Sequence, residues 1–101
     1  MRARAERQFV LALGRRLRLL REMRGLSCHQ LAERAGLSIS MVSAVETGVR
    51  APSVIVLLRL TAALRVPWVA LADAAYEEAA RTVREVGAVA EMRQAGVGGH
   101  R

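Results

Sequence analysis

The chain has 101 residues, 16 of them basic against nine acidic, and a net charge of +7 at neutral pH. That length suits one domain with one core, and a hydrophobic content of 52% excludes a disordered polyelectrolyte. The aromatics number three, Phe9, Trp68 and Tyr76, too few for a platform that stacks single-stranded bases.

The periodicity predicts helices throughout and no sheet. Phe9, Leu13, Leu17 and Leu20 lay one apolar stripe along a first helix of about residues 5–24, which Gly25 ends. Ser27 with Gln30 three positions on forms a capping box, opening a short helix through Leu31, Ala32 and Ala35 that Gly36 breaks. Ser38 caps a third helix, about 39–46, with Met41, Val42 and Val45 turned inward, and Gly48 ends it. Ala51-Pro52-Ser53 caps a fourth helix running to about Leu64, and Pro67 opens a fifth, which Trp68 is expected to anchor on the core, the alternative being that it marks a dimer contact.

The tail follows another rule. Val69, Tyr76, Val83 and Ala90 recur every seven residues, with Ala72, Ala79 and Val86 three further on in each heptad. This narrow seam predicts an additional C-terminal helix over 73–95, built for dimerisation or a partner contact. The competing reading is a helix that folds back over its own core. Residues 96–101 are expected to be disordered. The expected division is therefore a domain over 1–72 with an Arg-rich N-terminal arm, the helix 73–95, and the tail.

Charge divides along the same line. Residues 1–72 hold 12 arginines against four glutamates, whereas 73–101 hold four against five acids. A basic front and a near-neutral back suit a polyanion-binding part followed by a segment of different purpose, the alternative being a merely solubilising surface. Arginine supplies every basic side chain.

Two short capped helices, 28–35 and 39–46, joined by a tight glycine turn have the form of a helix-turn-helix. The run Leu26-Ser27, Leu31-Ala32, Ala35-Gly36-Leu37-Ser38, Val42-Ser43, Val45-Glu46, Gly48, Arg50, Pro52-Ser53 and Leu57 resembles the Cro/repressor-type, or xenobiotic-response-element, family over about residues 11–72. The resemblance implies an all-α, five-helix phage-repressor-like domain, here with the extra C-terminal helix. It implies that Arg21 and Glu46 form a partly buried ion pair. It implies too that the second helix aims its N-terminus, at Ser27 and Cys28, towards a phosphate, while the third enters the major groove of double-stranded DNA. The implied contact residues are Ser38, Ile39, Ser40, Ser43, Ala44 and, after the helix, Arg50. Here the chain departs from the family, whose reading positions often hold Gln, Arg or Asn. Ile39 and Ala44 offer apolar contact only, as to a thymine methyl, and Ser40 and Ser43 offer ambiguous hydrogen bonds, so direct readout is expected to be weak. Arg2, Arg4 and Arg7 are further candidates for phosphate contact.

Other residues carry less. A single cysteine excludes a disulfide framework and a multi-thiolate zinc site and suits a reducing cytoplasm. At a helix start Cys28 is open to two readings, a depressed pKa that senses oxidants or a small residue tolerated near the backbone. The longest apolar runs, such as Val54–Leu58, fall far short of the roughly 20 residues that span a bilayer, and residues 1–24 lack a signal-peptide cleavage site. No catalytic, metal or cofactor constellation is expected. The expected protein is a dimeric repressor reading a pseudo-palindromic operator. The alternatives are an antitoxin that autoregulates its operon with a toxin partner, and an interaction module, for instance one contacting RNA polymerase.

Overall fold

The structure is a computed structural model that describes the backbone of residues 2–97 and the side chains of residues 3–85. Five α-helices follow in order: α1 (Arg2–Met23), α2 (Cys28–Ala35), α3 (Ile39–Glu46), α4 (Val54–Leu64) and α5 (Trp68–Val97). Among the described residues there is no strand. Three serines start three of these helices by the same device. Ser27, Ser38 and Ser53 each accept, at 3.1 Å, the backbone N–H three residues on, from Gln30, Met41 and Val56. Only α2 completes the box, Gln30 accepting the Ser27 N–H at 2.9 Å. Each such cap satisfies a donor that the helix leaves unpaired, an effect of about 1 kcal/mol.

The core gathers Ala12, Leu13 and Leu17 of α1 with Leu31 and Ala35 of α2, Val42 and Val45 of α3, Leu57, Leu60 and Leu64 of α4, and Leu71 and Ala75 of α5. Burying each of the larger side chains stabilises the fold by about 1.5–3 kcal/mol. Of the expected stripe on α1, Leu13 and Leu17 are buried while Phe9 and Leu20 pack at the margin. Helix α1 approaches α3 so closely that a Cβ on Gly14 would lie 2.3 Å from the carbonyl oxygen of Val45 and 2.6 Å from that of Glu46. Only glycine fits there.

The fifth helix and the additional C-terminal helix expected from the heptads are one continuous helix. Pro67 precedes α5, and nothing in the sequence breaks it at residue 73; Gly87 weakens a helix by roughly 1 kcal/mol relative to alanine but does not end it. Helix α5 lies along α1, burying Leu71, Ala75 and Ala79 at helical spacing. Glu78 reaches across to Arg15 (Nε–Oε2, 3.2 Å) and Arg16 (Nε–Oε1, 3.5 Å). The described part of α5 thus folds back over its own domain. The seam divides accordingly: Val69 and Tyr76 are exposed, Ala72 and Val83 half-buried, and Ala79 buried. The Val86 and Ala90 side chains lie outside the described residues.

Three further expectations change. Trp68 is 44% exposed and does not anchor α5; Leu71, one turn on, takes that place. The Arg-rich N-terminal arm is the opening of α1, helical from Arg2, because its alternation of Ala with Arg and Glu costs a helix little. Of the expected tail, residues 96 and 97 belong to α5, and 98–101 lie outside the described residues.

No single helix among the described residues is long and apolar enough to cross a membrane. Helices α4 and α5 are apolar enough only as a pair, and they bend by 110° at their junction while burying Leu57, Leu60, Leu64 and Leu71 in the core.

Candidate nucleic-acid interface

The α2–α3 turn is built by one left-handed residue. Gly36 sits at φ 69°, ψ 35°, where a side chain costs roughly 1–2 kcal/mol, and Leu37 N–H then returns to the Ala32 carbonyl at 2.9 Å. Arg59 of α4 donates to the Gly36 carbonyl at 3.2 Å and braces the turn from behind. The Ser27 and Ser38 hydroxyls, both implicated in DNA contact by sequence, accept backbone N–H groups as caps. They remain exposed and keep an O–H to donate.

The inner side of α3 is locked to α1. Arg21 grips Glu46 with two parallel hydrogen bonds, Nε to Oε2 at 2.7 Å and Nη2 to Oε1 at 3.0 Å, and gives its third nitrogen to the Leu26 carbonyl at 2.8 Å. The side chains are only 12% and 5% exposed. The bond to Glu46 outweighs burial and pushes the Arg21 pKa further up, so the guanidinium stays charged. Cys28 completes the cluster: its thiol donates to Glu46 Oε1 at 3.7 Å. Burial first, and the Glu46 charge second, push the Cys28 pKa up. Of the two readings of Cys28, the small residue tolerated near the backbone fits these surroundings better than an acidified thiol, because burial and then the neighbouring carboxylate both disfavour thiolate. The side chain faces Glu46, so an α2 phosphate contact would fall to the backbone around it.

The outer side of α3 is open. Ile39 is 47% exposed, Ser40 and Ser43 are exposed, and Ala44 is half-buried. A groove of ≈ 380 Å³ runs beside them, lined by Ser38, Ser40, Met41, Ala44, Val49 and Arg50. It brings together Ser38, Ser40, Ala44 and the exposed Arg50 from the sequence-derived set; Ile39 and Ser43 lie on the same helix beyond its lining, and Ser27 and Cys28 lie at the start of α2. Val49 was not singled out by sequence, although a valine between a helix-ending Gly and an Arg is an unusual place for an apolar side chain. Arg7 is tied to this region, donating to the Gly48 carbonyl at 3.2 Å.

Comparison with known proteins settles the family. A family model described as a helix-turn-helix domain matches residues 12–75. The chain belongs to this helix-turn-helix family. It is of the Cro/repressor type, a family of DNA-binding transcriptional regulators and not of enzymes. Among solved structures, this helix-turn-helix protein is similar to the restriction-modification controller protein C.AhdI from Aeromonas hydrophila. The identity is 40%, over 61% of this chain and 94% of that one, with a TM-score of 0.60. It shares its fold with the clp gene regulator ClgR from Corynebacterium glutamicum, at 24% identity over 85% of this chain and 90% of that one, with a TM-score of 0.71. No curated protein matches it. Among the described residues no three His, Cys, Asp or Glu side chains converge as a metal site.

Proposed function

We propose that this helix-turn-helix protein is a dimeric repressor that inserts α3 of each subunit into successive major grooves of a pseudo-palindromic operator, with half-sites about 34–36 Å apart. The observation that carries this reading is the contrast across α3: its inner face is fixed by the Arg21–Glu46 pair, and its outer face is open beside Arg50. Arg50 contacts phosphate after the recognition helix, and Arg4 and Arg7 add phosphate contacts from the start of α1. Ser38, Ile39, Ser40, Ser43 and Ala44 meet base edges, and the N-terminus of α2 at Ser27 and Cys28 meets the backbone. With hydroxyls and aliphatic groups in place of amides, each half-site reads weakly, and two half-sites multiply the discrimination. Val69 and Tyr76, exposed on α5, form the dimer contact with the half-buried Ala72 and Val83. Repression follows from occlusion of the promoter.

Fluorescence anisotropy with the duplex upstream of the gene and a random duplex, at about 50 and 200 mM salt, tests the reading. Tighter binding to the upstream duplex with a steep salt slope supports it; equal binding removes operator specificity, and no binding removes DNA as the ligand. Sedimentation of Tyr76→Asp tests the dimer surface. A monomer is expected, and an intact dimer places the interface elsewhere.

A further inference from the structure

Resting on the reading of α3 as the groove-entering helix, we infer that this site reads the C5-methyl groups of thymine, with Val49 as a specificity residue in the groove it lines with Ala44, and Ile39 as a further aliphatic contact at the start of α3. Val49 is 78% exposed, the most exposed large hydrophobic side chain among the described residues. It lines the same groove as Ser40, Ala44 and Arg50, so helix and following loop present aliphatic carbon to one slot. Ile39, at 47%, adds a second exposed aliphatic group at the start of α3.

The major-groove code limits what such a surface can recognise. Adenine is read by Asn or Gln and guanine by Arg or Lys; the exposed arc of α3 carries none of these, and Arg50, which lines the groove after the helix, is taken up by phosphate in the reading proposed above. Ser40 and Ser43 both donate and accept, so they tolerate each base rather than choose one. Thymine alone presents a methyl group in that groove. The basic front of the chain selects a polyanion, and Ser38, Ser40 and Arg50 line the groove together with its aliphatic carbon, so this mixed surface faces DNA rather than an apolar protein surface. Burying one methyl against aliphatic carbon is worth about fourfold in affinity.

The test uses the full chain. A duplex enriched from a random-sequence pool long enough for two half-sites is synthesised twice, once with thymine and once with deoxyuridine at every thymine, which deletes only the methyls. The expected result is a loss of about tenfold or more on uridine substitution, as two or more buried methyls require. Val49→Ala is expected to lose part of the preference for thymine over uridine. Equal wild-type affinity for the two duplexes overturns methyl reading while leaving DNA recognition intact. Failure of the pool to enrich overturns both. A Val49→Ala chain that keeps the full thymine preference removes Val49 from the reading surface. Because the wild-type comparison needs no variant, a folding defect in Val49→Ala cannot mask the outcome.

Discussion

The inward face of α3 carries Val42, Val45 and Glu46, all buried, whereas its outward face carries Ile39, Ser40 and Ser43, all exposed. The first face is over-determined. It has apolar packing, a bidentate ion pair and a backbone approach that admits only glycine. The second has no packing role inside the chain. Eight residues therefore serve two separable purposes: one side places the helix, and the other side is free to carry whatever chemistry the ligand requires. A change on one face should register in stability, and a change on the other in binding.

The most severe way to break this division is Glu46→Ala. It leaves Arg21 charged and 12% exposed with half its partners gone, and should cost about 3–5 kcal/mol in urea denaturation. Replacing both partners by apolar residues should recover much of that loss. A double-mutant cycle with coupling near zero would remove the pair from the account of the fold. Gly14→Ala comes next. Alanine gains about 1 kcal/mol in helix propensity, but its Cβ would meet the Val45 and Glu46 carbonyls, and overpacking of that kind costs about 1–3 kcal/mol, so a net loss of stability is expected. Stability equal to or above wild type would show that α1 shifts freely against α3.

Arg50→Ala sharpens the comparison from the other side. Unfolding should stay within about 0.5 kcal/mol of wild type, while the slope of log affinity against log salt falls by about one. The smallest effect concerns α5. Hydrogen bonding to Arg15 holds the Glu78 carboxyl below its ordinary value of 4.5, with the Arg15 and Arg16 charges adding to the shift. A depressed folded-state pKa stabilises above the unfolded value and loses that contribution as pH falls through the folded one. Wild-type stability should therefore drop more than that of Glu78→Gln below about pH 4.5. The difference will be modest, since Arg15 is more than half exposed and water screens the pair.

The short helices were legible because their signals are local. Ser27 and Gln30, Ser38, Gly36 and Gly48 each fix a backbone event within a few residues, and α2 and α3 have the bounds that those residues mark. The contributions that were not legible depend on chain distant in sequence. Gly14 looks like a flaw in a helix until α3 is placed against it, 31 residues away. Arg59 looks like a surface cation until it reaches Gly36. Arg65 adopts a left-handed φ of 57° to end α4, where glycine would be the expected choice. The heptad spacing on α5 was real in the sequence but did not identify its partner. The stripe at Leu71, Ala75 and Ala79, offset from it, binds α1, and only Ala79 belongs to both. On the outer surface of α3, resemblance named positions on the helix and Arg50 after it, whereas Val49, next to Arg50, emerges only from its exposure and the shape of the groove.

The chain has a single thiol, at Cys28, and that thiol is half-buried, protonated and hydrogen-bonded to the carboxylate that ties α3 to α1. A thiol-directed alkylating reagent thus meets this molecule at one atom, and reacts there more slowly while the Glu46 cluster stays closed. The pace of that reaction is a built-in clock for the breathing of the helix-turn-helix, readable without any added label, and it should slow when DNA holds the two short helices closed.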